Sequence, residues 1–261
     1  ETAYKYFIET IRSKPDYLAP LYNIGHILKE DKTPIEAFKS AIERFFDDFP
    51  NAYPIIADIF YSEGYYDVSL QYIVKCEINA VTSDSLMLLK VKCLIRTKAF
   101  EECIKMDTIL KESPFYFYFS MCQVISGILT NKFDYASSKI NSFKDITLSD
   151  YNKKMLQVYE QLLKLFTKES TEILSEDKNE KEYTDMIIEI CEILLINKKY
   201  DELEIALNLL NLISDNSVLL LLGKLYNKYE FVEMAKKEIL RSIKEFGVFD
   251  FDGLDILKNN L

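Results

Sequence analysis

The chain has 261 residues, 49% hydrophobic and 13% aromatic, enough to bury a sizeable core as one or two domains or as one continuous array. A net charge of -10, from 42 acidic against 32 basic side chains, disfavours diffuse attraction to nucleic acid or anionic lipid and favours basic or neutral partners. The apolar run from Val218 to Leu222 falls far short of the roughly 20 residues of a membrane span, so a soluble protein is expected, and five cysteines without CxxC spacing point to a reducing cytoplasm.

With only six glycines and six prolines, the intervals between breakers carry apolar residues at spacings of three and four, the helical period. The sequence predicts an all-α fold. Along the chain, Ala3, Phe7, Thr10 and Pro15 come first, followed by Leu21, Ile24, Gly25, Leu28 and Ala37. Tyr53, Ile56, Ala57, Phe60, Gly64, Tyr66, Ser69, Ile73 and Cys76 follow at matching intervals. Val91, Leu94, Phe100 and Cys103 fit less completely, with Asp107 out of pattern. The aromatic run from Pro114 to Phe119 is expected to be a loop entering a helix, and Phe133, Ala136, Ile140 and Phe143 to lie on the next one. Residues 151–183 fit worst: an amphipathic helix through Met155, Leu156, Tyr159, Leu162, Leu163 and Phe166 precedes the charged stretch Ser175 to Glu182, read as a surface loop. Ile187, Ile190, Cys191, Leu194, Tyr200, Leu203, Leu207 and Leu210 resume the pattern. Leu219, Leu222, Gly223, Tyr226, Ala235, Ile239 and Ser242 give its fullest copy.

Those last residues take relative positions 4, 7, 8, 11, 20, 24 and 27 of a helix pair, a spacing that resembles the tetratricopeptide repeat. The resemblance implies a right-handed superhelical solenoid of antiparallel helix pairs with about six to seven repeats. Its divisions are 1–15 as the second helix of a truncated repeat and repeats at about 18–49, 50–83, 84–116, 117–150, a degenerate 151–183, 184–215 and 216–249, with 250–261 starting a further or capping helix. A first residue of Glu and an opening in mid-repeat read as a piece of a longer, bacterial-looking protein. Such a solenoid needs small side chains where paired helices meet, hence Gly25 with Ala37, Ala57 with Ser69, and Gly223 with Ala235.

Cys76, Cys93, Cys103, Cys122 and Cys191 are an odd number without CxxC spacing, which argues against a disulfide framework and a zinc site. Three of them take small-residue positions and read as buried packing. His26 is the only histidine, and no phosphate loop, GxSxG or HExxH occurs. No catalytic residue, cofactor or metal is therefore assigned to this segment. The resemblance does imply a partner-binding groove lined by first helices. Residue by residue it selects Tyr22, His26 and Lys29, with Glu30, then Asp58 and Tyr61, with Ser62. It then selects Lys92 and Arg96, and near the end Lys224, Asn227 and Lys228, with Glu192. Lys92 and Arg96, one helical turn apart, could share a carboxylate. The expected function is a non-catalytic scaffold for a peptide or protein, with no nucleic acid bound, and exposed terminal repeats could pair copies into a homo-oligomer. The alternative is an accessory segment carried behind a catalytic domain, since the repeats are similar in style to those appended to bacterial family-2 glycosyltransferases.

Overall fold

The computed structural model describes residues 6, 9–10, 13–14, 20, 23, 50–106, 109–174 and 181–259. Among them every regular element is helical and there is no strand. A 3-10 turn, Pro50–Ala52, leads into α1 (Tyr53–Ser62), then α2 (Tyr66–Ile78), α3 (Asp84–Arg96), α4 (Phe100–Lys105), α5 (Tyr116–Leu129) and α6 (Phe133–Asn141). There follow α7 (Asp150–Thr167), α8 (Lys181–Ile196), α9 (Tyr200–Leu207) with a 3-10 extension to Leu212, α10 (Val218–Lys228), α11 (Val232–Arg241) with a π turn to Phe246, and α12 (Phe251–Asn259). The chain forms two compact units, Glu1–Phe119 and Ser120–Leu261. In the first, α1 packs on α2, α2 on α3 and α3 on α4; in the second, α6 packs on α7, α7 on α8, α8 on α9 and on α10, and α10 on α11. This neighbour-by-neighbour order is consistent with a helical repeat. The expected repeats at 1–15 and 18–49 lie almost wholly outside the described residues.

One turn recurs. A residue in the left-handed conformation sits at Gly64, Lys98, Asn131, Lys168, Lys198 and Glu230, at intervals of 30 to 37 residues. At each, the next N–H donates to the carbonyl five residues back: Tyr65 to Phe60, Ala99 to Leu94, Lys132 to Gly127, Glu169 to Lys164, Lys199 to Leu194 and Phe231 to Tyr226, all at 2.8–2.9 Å. This is the Schellman helix stop, which satisfies orphan carbonyls at the cost of one left-handed residue. Only Gly64 adopts that conformation without a side-chain penalty.

After five of these stops a second helix starts two residues later. After Lys168 none does: Glu169–Leu174 carries no helix and is tied down by Glu172 N–H donating to Gln161 Oε1 (3.0 Å) and Leu174 N–H to the Leu212 carbonyl (2.7 Å). Among the described residues the degenerate stretch thus has a first helix and no second one. Ala57 meets Ser69 and Gly223 meets Ala235 as expected, while Gly25 and Ala37 lie outside the described residues. Ser69 Oγ donates to the Ala57 carbonyl at 2.7 Å, and Cys93 Sγ to Ser69 Oγ at 3.3 Å, joining α1, α2 and α3.

Two expectations change. Lys181 and Glu182, expected in the charged surface loop, instead form the first turn of α8, where Glu182 complements the helix N-terminus; the rest of that stretch, 175–180, lies outside the described residues. α4 stops at Lys105, with Met106 extended, which leaves a second helix of under two turns where the repeat pattern weakened.

Candidate functional site

Register relative to the helix stop gathers the predicted site residues. Asp58, Lys92, Glu192 and Lys224 each stand six residues before the left-handed residue that ends their own helix. In α5 and α7 the same register holds Ile125 and Leu162, both buried. The polar row therefore belongs to α1 and α3 in the first unit and to α8 and α10 in the second.

In the first unit Asp58 is exposed, and Tyr61 and Lys92 are half-buried. Arg96 is buried at 7% exposure. Its guanidinium carbon lies 5.2 Å from the Tyr61 ring centre and 5.6 Å from that of Tyr66, the two rings meeting edge to face at 5.4 Å. Nη1 donates to the Lys92 carbonyl at 3.4 Å. A planar, weakly hydrated cation against two aromatic faces is a stable arrangement. Arg96 thus clamps the α1–α2 turn to α3 rather than standing beside Lys92 as a second exposed cation. Tyr66, its other aromatic support, enters the repeat spacing but not the predicted groove.

In the second unit the cations face acids of the same chain. Lys228 Nζ lies 2.6 Å from Glu192 Oε1, which also accepts from Tyr229 O–H at 2.8 Å, so α8 and the end of α10 are bridged. Lys224 is held between Asp250 and Asp252, the latter at 3.1 Å. Partial burial lowers the Lys224 pKa, but its hydrogen bonds to Asp250 and Asp252 outweigh that and leave it raised. Asp250 is correspondingly lowered, by its bond from Lys224 and by the Gly253 N–H that its Oδ1 accepts at 2.9 Å. Asp250 is both the N-cap of α12 and its tether to α10. No periodic signal links it to Lys224, 26 residues away, and the sequence did not mark it. Asn227 is half-buried between these clusters; Tyr22, His26 and Lys29 lie outside the described residues.

Three of the buried thiols are poorly suited to nucleophilic chemistry. Burial pushes Cys76 and Cys93 up to about 11 and Cys191 up to about 12. Among the described residues no group of three or more His, Cys, Asp or Glu could hold a metal ion, and no helix is long and apolar enough to cross a membrane. An apolar-floored cleft of about 600 Å³ lies along α10 and α11, its rim crossed by Arg241 paired with Glu238 (2.8 Å) and Glu245 (3.2 Å). Each unit thus carries its own set of charges and aromatics on its helices. No protein-family model, no curated protein and no solved structure matches the chain, so the tetratricopeptide resemblance rests on its residues alone.

Proposed function

We propose that this segment is a non-catalytic interaction module: a right-handed superhelix of six to seven tetratricopeptide-like repeats that holds a peptide or partner protein along its first helices, in a cytoplasmic setting. The carrying observation is the shared register of Asp58, Lys92, Glu192 and Lys224, each six residues before an identical helix stop. Equivalent positions on repeated helices present equivalent side chains, and a partner can read them in sequence. Because Arg96 supports Tyr61 from below, the groove in the first unit offers Asp58, Tyr61 and Lys92, and that in the second offers Asn227 and the Lys228–Glu192 pair.

Photo-crosslinking tests this reading. p-Benzoylphenylalanine is placed at Tyr61 or Asn227 on first helices, and at Val74 or Lys237 on second helices, and the full chain is irradiated in lysate. Partner adducts are expected from Tyr61 and Asn227 and not from Val74 or Lys237; adducts confined to the second helices would overturn the assignment.

A further inference from the structure

Where α7 lacks its second helix, a cleft of about 580 Å³ opens between α6, α7 and Glu169–Leu174. Its wall on α7 carries Gln157, Glu160 and Gln161. Gln161 is 5% exposed, and its Oε1 accepts from the Glu172 N–H at 3.0 Å. A backbone N–H can only donate, so that bond fixes the amide, and its NH2 group has no partner among the described residues. One turn earlier, Gln157 Oε1 accepts from Tyr183 O–H at 2.5 Å, which leaves the NH2 group of a second amide to donate. Two side chains one turn apart on a helix are spaced by about 6 Å. Alternate residues of an extended chain repeat at about 6.6 Å, so successive same-side carbonyls match the two donors.

The rim adds a charge preference. Lys144 lies 3.4 Å from Glu160 and Lys164 2.9 Å from Glu172, so both lysines of the cleft are matched. Glu169 accepts from Thr167 Oγ1 at 2.7 Å and has no cationic partner among the described residues. We propose that this cleft holds an extended peptide segment bearing lysine or arginine, its main-chain carbonyls accepting from Gln157 and Gln161 and its basic side chain meeting Glu169. The site is separate from the first-helix row and stands or falls independently of it.

The test is fluorescence anisotropy on the full chain at physiological salt, with a labelled decapeptide of alternating lysine and serine and a glutamate–serine control. Saturable binding of the lysine peptide alone is expected. Asn141→Trp, at an exposed position on the cleft wall of α6, abolishes it, and Glu169→Lys weakens it at least about fivefold, on the order of one charge-assisted hydrogen bond. Gln157→Met keeps the shape but drops the donor, and weakens binding about threefold to tenfold. Glu102→Lys, the same charge change on the other unit, leaves affinity unchanged. No saturable binding, equal weakening by Glu102→Lys, or no loss with Gln157→Met would each overturn the proposal.

Discussion

A methyl group at Gly223 would sit 2.6 Å from Ile239 Cγ1, 3.1 Å from the Ala235 carbonyl oxygen and 3.2 Å from the Ile239 nitrogen. Two of the three are backbone atoms of α11, so relief requires the helices to part. Gly223→Ala is therefore expected to destabilise by roughly 1–3 kcal/mol, although alanine gains about 1 kcal/mol of helix propensity. At Gly127 the first obstacle is the edge of the Tyr135 ring at 3.1 Å, then Ala136 Cβ at 3.4 Å. A ring edge can swing, so Gly127→Ala should stay within about 1 kcal/mol of the parent. Urea denaturation of the two variants separates the cases; equal losses would mean that α10 and α11 do not depend on their close approach. The first glycine was legible from its twelve-residue spacing to Ala235. The second was not, because Val124 holds the corresponding register in α5 and the small residue has moved one helical turn. Arg96 teaches a similar point: spacing placed it one turn from Lys92, but only its two tyrosine neighbours decide that it is buried.

At the scale of elements, α12 is held through Asp250 and Gly253, with Phe251 on its outer side 88% exposed. Gly253 lets α12 approach α10 closely: a Cβ there would meet Leu220 Cδ1 at 2.8 Å, a side-chain tip that would have to move aside. Asp250→Asn keeps an N-cap acceptor and loses the charge, which for a pair this exposed is worth less than about 1 kcal/mol. Asp250→Ala also loses the cap, about 1 kcal/mol more. Hydrogen exchange should accordingly show protection of residues 251–259 falling in the order parent, Asn, Ala, with α10 unchanged. The pH dependence follows from the signs. Asp250 is depressed on folding, so its contribution is complete above the unfolded carboxylate value of about 3.9 and fades as pH falls through the lower folded value. Lys224 is raised, so its contribution is complete below about 10.4 and is lost as pH rises through its folded value. The α12 tether should hold across neutral pH and loosen below about pH 4; protection that is flat with pH, or lost first in α10, would show that the pair does not hold the helix.

For the whole molecule, packing of each helix on its near neighbours in sequence implies that damage at one helix pair need not travel. Cys76 and Cys93 belong to the first unit and Cys191 to the second, all fully buried, so pulsed thiol labelling along a urea titration reads the units separately. Gly223→Ala should lower the labelling midpoint of Cys191 and leave those of Cys76 and Cys93 in place; a common shift would make the chain one cooperative block. Apolar periodicity and scarce glycine and proline were enough to determine helices, their order and the weak place after Phe166, because period and breakers are local properties of the chain. The contacts between helices were beyond it. That Lys224 pairs with Asp250, that Arg96 rests on Tyr61 and Tyr66, and that a cleft beside α7 is lined by Gln157 and Gln161 depend on which helix lies beside which, and tertiary packing alone decides that.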